Sequence, residues 1–149
     1  QNSRPTPAPT IASTSEVKVS EMKKSIFSIN DLELPDSSND RSALYYHWWP
    51  KKGTTEWIEY KFQKPESVSE CSAYWFDDEP WGGCRTPQSW KVLYKQNNQW
   101  IPVKTNETYS VDKNKQNTIH FESVKTSSLR MEITLKKDYS SGIYEWIVK

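Results

Sequence analysis

Two stretches of this chain hold the residue types that recognise small polar molecules. The first is Asp77-Asp78-Glu79-Pro80-Trp81-Gly82-Gly83-Cys84-Arg85. It sets an indole beside two glycines, with carboxylates before it and a guanidinium after it. An indole offers a flat apolar face, the carboxylates accept hydrogen bonds and the guanidinium donates a planar fork of them. Together they suit a polyhydroxylated ring: Trp81 for stacking, Arg85 as donor, Asp77 and Asp78 as acceptors, and glycines that admit a close approach to the backbone. A plainer role fits the same residues, with Arg85 paired to an aspartate and the loop merely held rigid. The second stretch is Tyr45-Tyr46-His47-Trp48-Trp49. Side chains alternate across a strand, so five successive rings cannot all face inward. His47 and Trp48 are the ligand candidates; in the competing reading Trp48 or Trp49 plugs the end of the core and His47 is solvated.

Covalent chemistry is poorly supplied. A glycosidase holds two carboxylates on opposite sides of a bond, whereas Asp77, Asp78 and Glu79 are neighbours on one turn. His47 and His120 are far apart, no Cys/His spacing suggests zinc, and no glycine frame builds a nucleophile elbow around a serine. Four glycines in the whole chain leave no phosphate loop. We therefore expect a non-catalytic domain.

The elements that position these loops are strands. The chain has 149 residues, one domain's worth with a modest tail. Val (8), Ile (9) and Thr (11) outnumber Ala (4) and Leu (6), which favours strand over helix. Mean hydropathy is −0.90, and the apolar mass sits in 8 Trp, 8 Tyr and 4 Phe. Burying half of those rings gives a gross hydrophobic gain of about 50 kcal/mol, enough to sustain a core. A net charge of +1 leaves no electrostatic footprint for nucleic acid or an anionic membrane. No apolar run approaches the ~20 residues of a membrane-spanning helix.

Residues 1–16 contain three Pro and six Ser/Thr with little to bury and read as a linker, with the domain expected over 17–149. Alternating patterns then mark strands at Val17–Val19, Glu56–Phe62 (ended by Pro65), Val68–Phe76, Ser89–Lys95, Trp100–Lys104, Asn117–Glu122, Ser128–Leu135 and Gly142–Val148. Eight short strands and no helix-period segment predict an all-β antiparallel sandwich of the jelly-roll kind. Cys71 points into the core on this pattern. A disulfide to Cys84 would require the loop to fold back the ~17 Å spanned by residues 71–76, which argues against one.

The order of these pieces resembles the discoidin, or coagulation factor 5/8 type C, domains and their galactose-binding-like relatives among carbohydrate-binding modules. Asn30-Asp31, TTEWIEYKF, SWKVLYKQNNQWIPV, SLRMEITL and GIYEWIV carry the likeness, with Asn97-Asn98 in place of the usual Asp-Gly turn. HWWPKKGTTEW and YWFDDEPWGGCRTPQSW look like modules attached at the C-terminus of secreted glycoside hydrolases of gut Bacteroidetes. The resemblance implies a monomeric accessory module, secreted, periplasmic or on a bacterial surface, that binds glycan for a catalytic domain of the same polypeptide. It also implies one structural calcium ion held by Asp31, Asn30 and Glu145; in the competing reading loop N–H groups or a basic partner satisfy Glu145. A purely structural sandwich packed on the catalytic domain is the rival function.

Overall fold

The computed structural model describes residues 6–149. Seven strands follow in order: β1 (Glu16–Val19), β2 (Tyr46–His47), β3 (Thr55–Phe76), β4 (Ser89–Gln96), β5 (Gln99–Pro102), β6 (Asn117–Thr134) and β7 (Gly142–Val148). All pairings between them are antiparallel, in the order β2-β7-β3-β6-β4-β5 with β1 beside β3. The chain is all-β, as its composition demanded. A short 3₁₀ helix, Lys24–Asn30, is the exception to the expected absence of helix.

Two strands are twice as long as their sequence patterns suggested. Glu56–Phe62 and Val68–Phe76 are one strand, β3, because its register with β6 shifts between Lys61 and Glu66 and again between Val68 and Glu70 rather than breaking. Pro65 therefore lies within a strand, at an irregularity where a missing N–H costs no ladder bond. β6, Asn117–Thr134, likewise joins the expected Asn117–Glu122 to all of the expected Ser128–Leu135 but its last residue. Because both long strands are irregular at the same level, the sheet bends over into two layers. The first half of β3 pairs with β1 and the second half of β6, and β4 and β5 extend this layer. The second half of β3 pairs with the first half of β6 and with β7, beside which lies β2.

Rings fill the space between. Tyr60 of the first layer stacks on Trp146 of the second at 4.1 Å, and its hydroxyl donates to the Trp146 carbonyl at 2.7 Å. Trp75 meets Trp90 edge-on at 5.5 Å. Along β3, Ile58, Tyr60 and Phe62, then Cys71, Ala73 and Trp75, point into this core, matching the alternation in sequence. Beyond Cys71 the outward residues are buried too. Tyr74 and Phe76 join Tyr144 and Cys84 in a second cluster covered by Ala43 and Tyr45. Both cysteines are free and buried, one in each cluster. Burial pushes both thiols up to about 12, so neither is a reactive thiolate.

The expected linker needs correcting at its end. Residues 1–5 lie outside the described residues, but Thr10–Ser15 form a turn closed by reciprocal bonds between Thr10 and Ser13. Ala12 is fully buried, and its carbonyl accepts from Asn30 Nδ2 at 2.8 Å. The domain thus begins before residue 16.

Candidate functional site

The loops after β2 and β3 and before β7 meet at one rim of the sandwich. β2 pairs with the start of β7, Tyr46 opposite Ile143 and His47 opposite Gly142. A Cβ at Gly142 would lie 2.7 Å from the Tyr46 carbonyl, so this close approach requires glycine. The aromatic run then alternates. Tyr46 and Trp48 turn inward and are fully buried, whereas Tyr45 and His47 are partly open and Trp49 is 43% exposed. Trp48 meets Tyr46 edge-on and offers no face to a ligand. The expectation for Trp48 is corrected by parity: its neighbour Trp49 is the ring at the surface.

The second loop is knitted by its own polar groups. Asp77 is buried, with Oδ2 accepting from the Thr86 N–H at 2.9 Å and Oδ1 from that of Glu79 at 3.2 Å. Asp78 Oδ1 accepts from the Cys84 N–H at 2.9 Å and lies 3.6 Å from Arg85 Nη1. That same nitrogen donates to the carbonyls of Gly82 and Cys84, each at 2.8 Å, while the guanidinium covers the Tyr139 ring. Asp77 and Arg85 are thus engaged in loop structure, the plainer of the two roles weighed for them. The glycine pair is explained locally as well. A Cβ on Gly82 would fall 2.0 Å from the Asp78 carboxylate, and one on Gly83 would fall 2.2 Å from the Trp49 ring. The protein itself makes the close approach that the sequence suggested for a ligand. Trp81 stands clear at 61% exposed, with Arg41 5.7 Å above its ring.

Between these loops lies an open cavity of about 280 Å³, lined by Tyr45, His47, Trp49, Phe76, Asp78 and the Gly82–Cys84 backbone. Tyr45 stacks flat on Phe76 at 3.7 Å, which fixes its ring. His47 Nδ1 is buried without a hydrogen-bond partner, and burial lowers the pKa of the imidazole, followed by the nearby Lys23 charge. A neutral imidazole, a carboxylate and two partly open rings thus converge on one hollow. Of the expected residues, His47 and Asp78 line it; Trp48, Asp77, Arg85 and Trp81 do not. Tyr45 and Trp49 are the additions. The signal for them was in the sequence: once Tyr46 faces the core, strand alternation sends 45, 47 and 49 the other way.

The residues expected to hold calcium are partly brought together. Glu145 is fully buried, with Oε2 accepting from the Leu32 N–H at 3.0 Å and Oε1 left without a partner. Burial, with the neighbouring Asp31 carboxyl adding to it, pushes its carboxyl up to about 10. Two carboxyl groups side by side with an orphaned buried oxygen match a hard, oxygen-seeking cation. Asn30 is otherwise occupied, its amide nitrogen bonding Ala12 and Ser15 carbonyls. Among the described residues no third His, Cys, Asp or Glu joins them, so backbone carbonyls would supply the remaining ligands.

The F5/8 type C domain model matches residues 13–146, and the chain belongs to this family. No curated protein sequence matches it. Similar solved structures include one of the Streptococcus pneumoniae β-galactosidase BgaA, with a TM-score of 0.75 at 16% identity over 99% of this chain and 98% of that one. The family 32 carbohydrate-binding module of Clostridium perfringens NanJ, solved with galactose, has a TM-score of 0.68 at 13% identity, covering 93% and 96% of the two chains. A Bacteroides thetaiotaomicron protein described as a putative α-L-fucosidase matches 90% of this chain with 27% of its own length, at a TM-score of 0.64 and 19% identity. At such identities the likeness is one of fold.

Proposed function

We propose that this domain is a non-catalytic carbohydrate-binding module, and that it holds one sugar ring in the rim cavity. The observation that carries the reading is the convergence of Tyr45, Trp49, the His47 imidazole and Asp78 on one open hollow. An apolar ring face packs on pyranose C–H groups, while imidazole and carboxylate exchange hydrogen bonds with hydroxyls. Trp81 extends the apolar surface outside the cavity for a second residue of an oligosaccharide. The structural neighbour solved with galactose supports the ligand class. The domain would act as the accessory module of a secreted glycoside hydrolase, raising local substrate concentration for a tethered active site. Asp31 and Glu145 would hold a calcium ion that pins the loop after the 3₁₀ helix, a structural contribution separate from sugar contact.

The test is calorimetric or NMR titration with galactose, arabinose, rhamnose and N-acetylhexosamines. We expect millimolar or tighter binding to at least one, weakened tenfold or more by Trp49→Ala. A folded domain that binds none of these sugars or their oligomers would refute the reading.

One observation favours the rival, structural function. Met22 (73% exposed), Phe27, Leu34 and Leu44 are large apolar side chains left open outside the cavity lining. Such a set suits the polar-rimmed face that packs on a neighbouring domain. Stable association with the parent catalytic domain, lost in a Met22→Ser/Phe27→Ser variant while sugar titrations stay blank, would establish it.

A further inference from the structure

The outward face of the first layer carries a charge pattern that the rim reading does not use. Across it Trp57, Glu59 and Lys61 of β3 face solvent in alternation with the core residues Ile58 and Tyr60. Register places Lys18 of β1 opposite Glu59, Glu59 opposite Arg130 of β6, and Lys61 opposite Ser128. On β4, Lys95 pairs with Trp100 of β5. A hollow of about 290 Å³ opens here, lined by Lys18, Glu59, Lys61, Lys95, Asn97, Asn98, Ser127 and Ser128.

Three lysines therefore border one hollow whose single lining carboxylate is already taken, and the Lys95 Nζ lies 5.7 Å from the centroid of the Trp100 ring. Glu59 accepts from Arg130 Nε at 3.0 Å and from Nη2 as well. The other outward cation on this layer is paired, Lys91 lying 3.6 Å from Glu132; Lys61 has Glu16 opposite it in register, beyond the lining of the hollow. Lysines commonly guard exposed sheet edges, but β3 and β4 are interior strands of their layer, so edge protection explains neither Lys61 nor Lys95. With strands ~4.8 Å apart, Lys61 and Lys95 on either side of β6 stand roughly 10 Å from each other across the hollow. The spaces between are filled by the Asn97 and Asn98 amides, presented by a turn in which both residues have positive φ, and by serine hydroxyls.

We infer that this hollow is a second ligand site, separate from the rim, that takes an acidic polysaccharide whose carboxylate or sulfate groups meet Lys18, Lys61 and Lys95 while its hydroxyls meet the asparagines and serines. A glycan suits the lining better than other polyanions. A nucleic acid seeks bare aromatic faces, and here Trp57 and Trp100 are both covered by the Arg130 guanidinium, at 4.6 and 5.0 Å. An anionic membrane favours apolar side chains beside the basic ones, and the large exposed hydrophobic residues all lie on other segments.

Affinity electrophoresis of the whole chain through gels containing polygalacturonate, dextran sulfate or neutral dextran tests this. We expect retardation by one or both acidic polymers and not by dextran, weakening as salt screens the charges. The polygalacturonate and dextran sulfate arms tell carboxylate from sulfate recognition. Lys18→Ala/Lys61→Ala/Lys95→Ala should reduce retardation at least tenfold. The control Lys64→Ala/Lys125→Ala/Lys137→Ala, which removes the same charge from exposed positions elsewhere, should leave it within twofold, and Glu16→Gln should strengthen it. Matching thermal melts establish that each variant is folded. Absence of retardation, equal losses in both triple variants, or tighter binding to phosphatidylserine vesicles or single-stranded DNA would overturn the inference.

Discussion

The rim and the outer face of the first layer both set tryptophans beside cations, yet they are built for opposite ends. On the outer face Arg130 lies against Trp57 and Trp100 while Glu59 fixes its guanidinium. The rings there are half-buried and their partner is the protein. At the rim, Trp49 and Trp81 stay 43% and 61% exposed, and their nearest cations, Lys52 and Arg41, stand off at 5.3 and 5.7 Å. Their environments explain the contrast. An outward ladder residue has neighbours at fixed strand spacing on both sides, so its faces are filled. A residue on an irregular loop has no such neighbours, and its surface stays available. Tryptophan content alone does not identify a stacking surface; whether the ring face is free does.

The contrast can be broken most forcefully inside the rim itself. Trp48→Ala should cost about 3–5 kcal/mol of stability, because it empties a fully buried indole site. Trp81→Ala should stay within about 0.5 kcal/mol, as expected for an exposed side chain. Equal costs by chemical denaturation would mean that the two rings are not partitioned as described.

Arg130→Ala should come next, at about 1–3 kcal/mol, since it removes two ring contacts and the partner of Glu59 at once. Sugar affinity at the rim should be unchanged, as Arg130 lines no part of that cavity. Gly83→Ala sharpens the same boundary from the other side. Its Cβ would strike the Trp49 ring, so Trp49 must swing away, and sugar affinity should fall with a change in indole fluorescence. A variant with unaltered affinity would remove Trp49 from the binding surface.

The calcium proposal predicts a higher melting temperature in millimolar calcium than in chelator, a difference that Asp31→Asn should reduce. The smallest effect concerns His47. Burial lowers its pKa in the folded chain, so below the ordinary imidazole value the unfolded chain binds the extra proton first. Stability is therefore fully present above about pH 6.5 and declines as pH falls toward the folded pKa, where the loss levels off. His47→Gln should flatten that slope; a slope identical to wild type would show that His47 is not held neutral.

Most of the fold was legible. The alternation of Ile58, Tyr60 and Phe62, and of Cys71, Ala73 and Trp75, gave the core face correctly because strand parity is a local property. The fusion of pairs of short strands into β3 and β6 was not legible, since Pro65 and the polar residues around it look the same at a strand end and at an irregular bend. The candidate site was half legible. Its loops, His47 and Asp78 are visible from residue type, but residue type does not separate Trp48 from Trp49, a one-residue parity that depends on which way Tyr46 turns. Asp77 and Arg85 carried the right chemistry and were already engaged, by Thr86 N–H and by loop carbonyls.

What the sequence determined alone was the kind of molecule: strand-rich by its β-branched content, stabilised by rings and poor in catalytic groups. These follow from composition and short-range periodicity. The tertiary structure decided which rings are covered. That Tyr45 lies on Phe76, that Trp49 rests over Gly83, and that Arg130 fills the space between two tryptophans are contacts between residues 30 to 73 positions apart. No local pattern encodes them, because whether a face is free depends on what the rest of the chain brings to it.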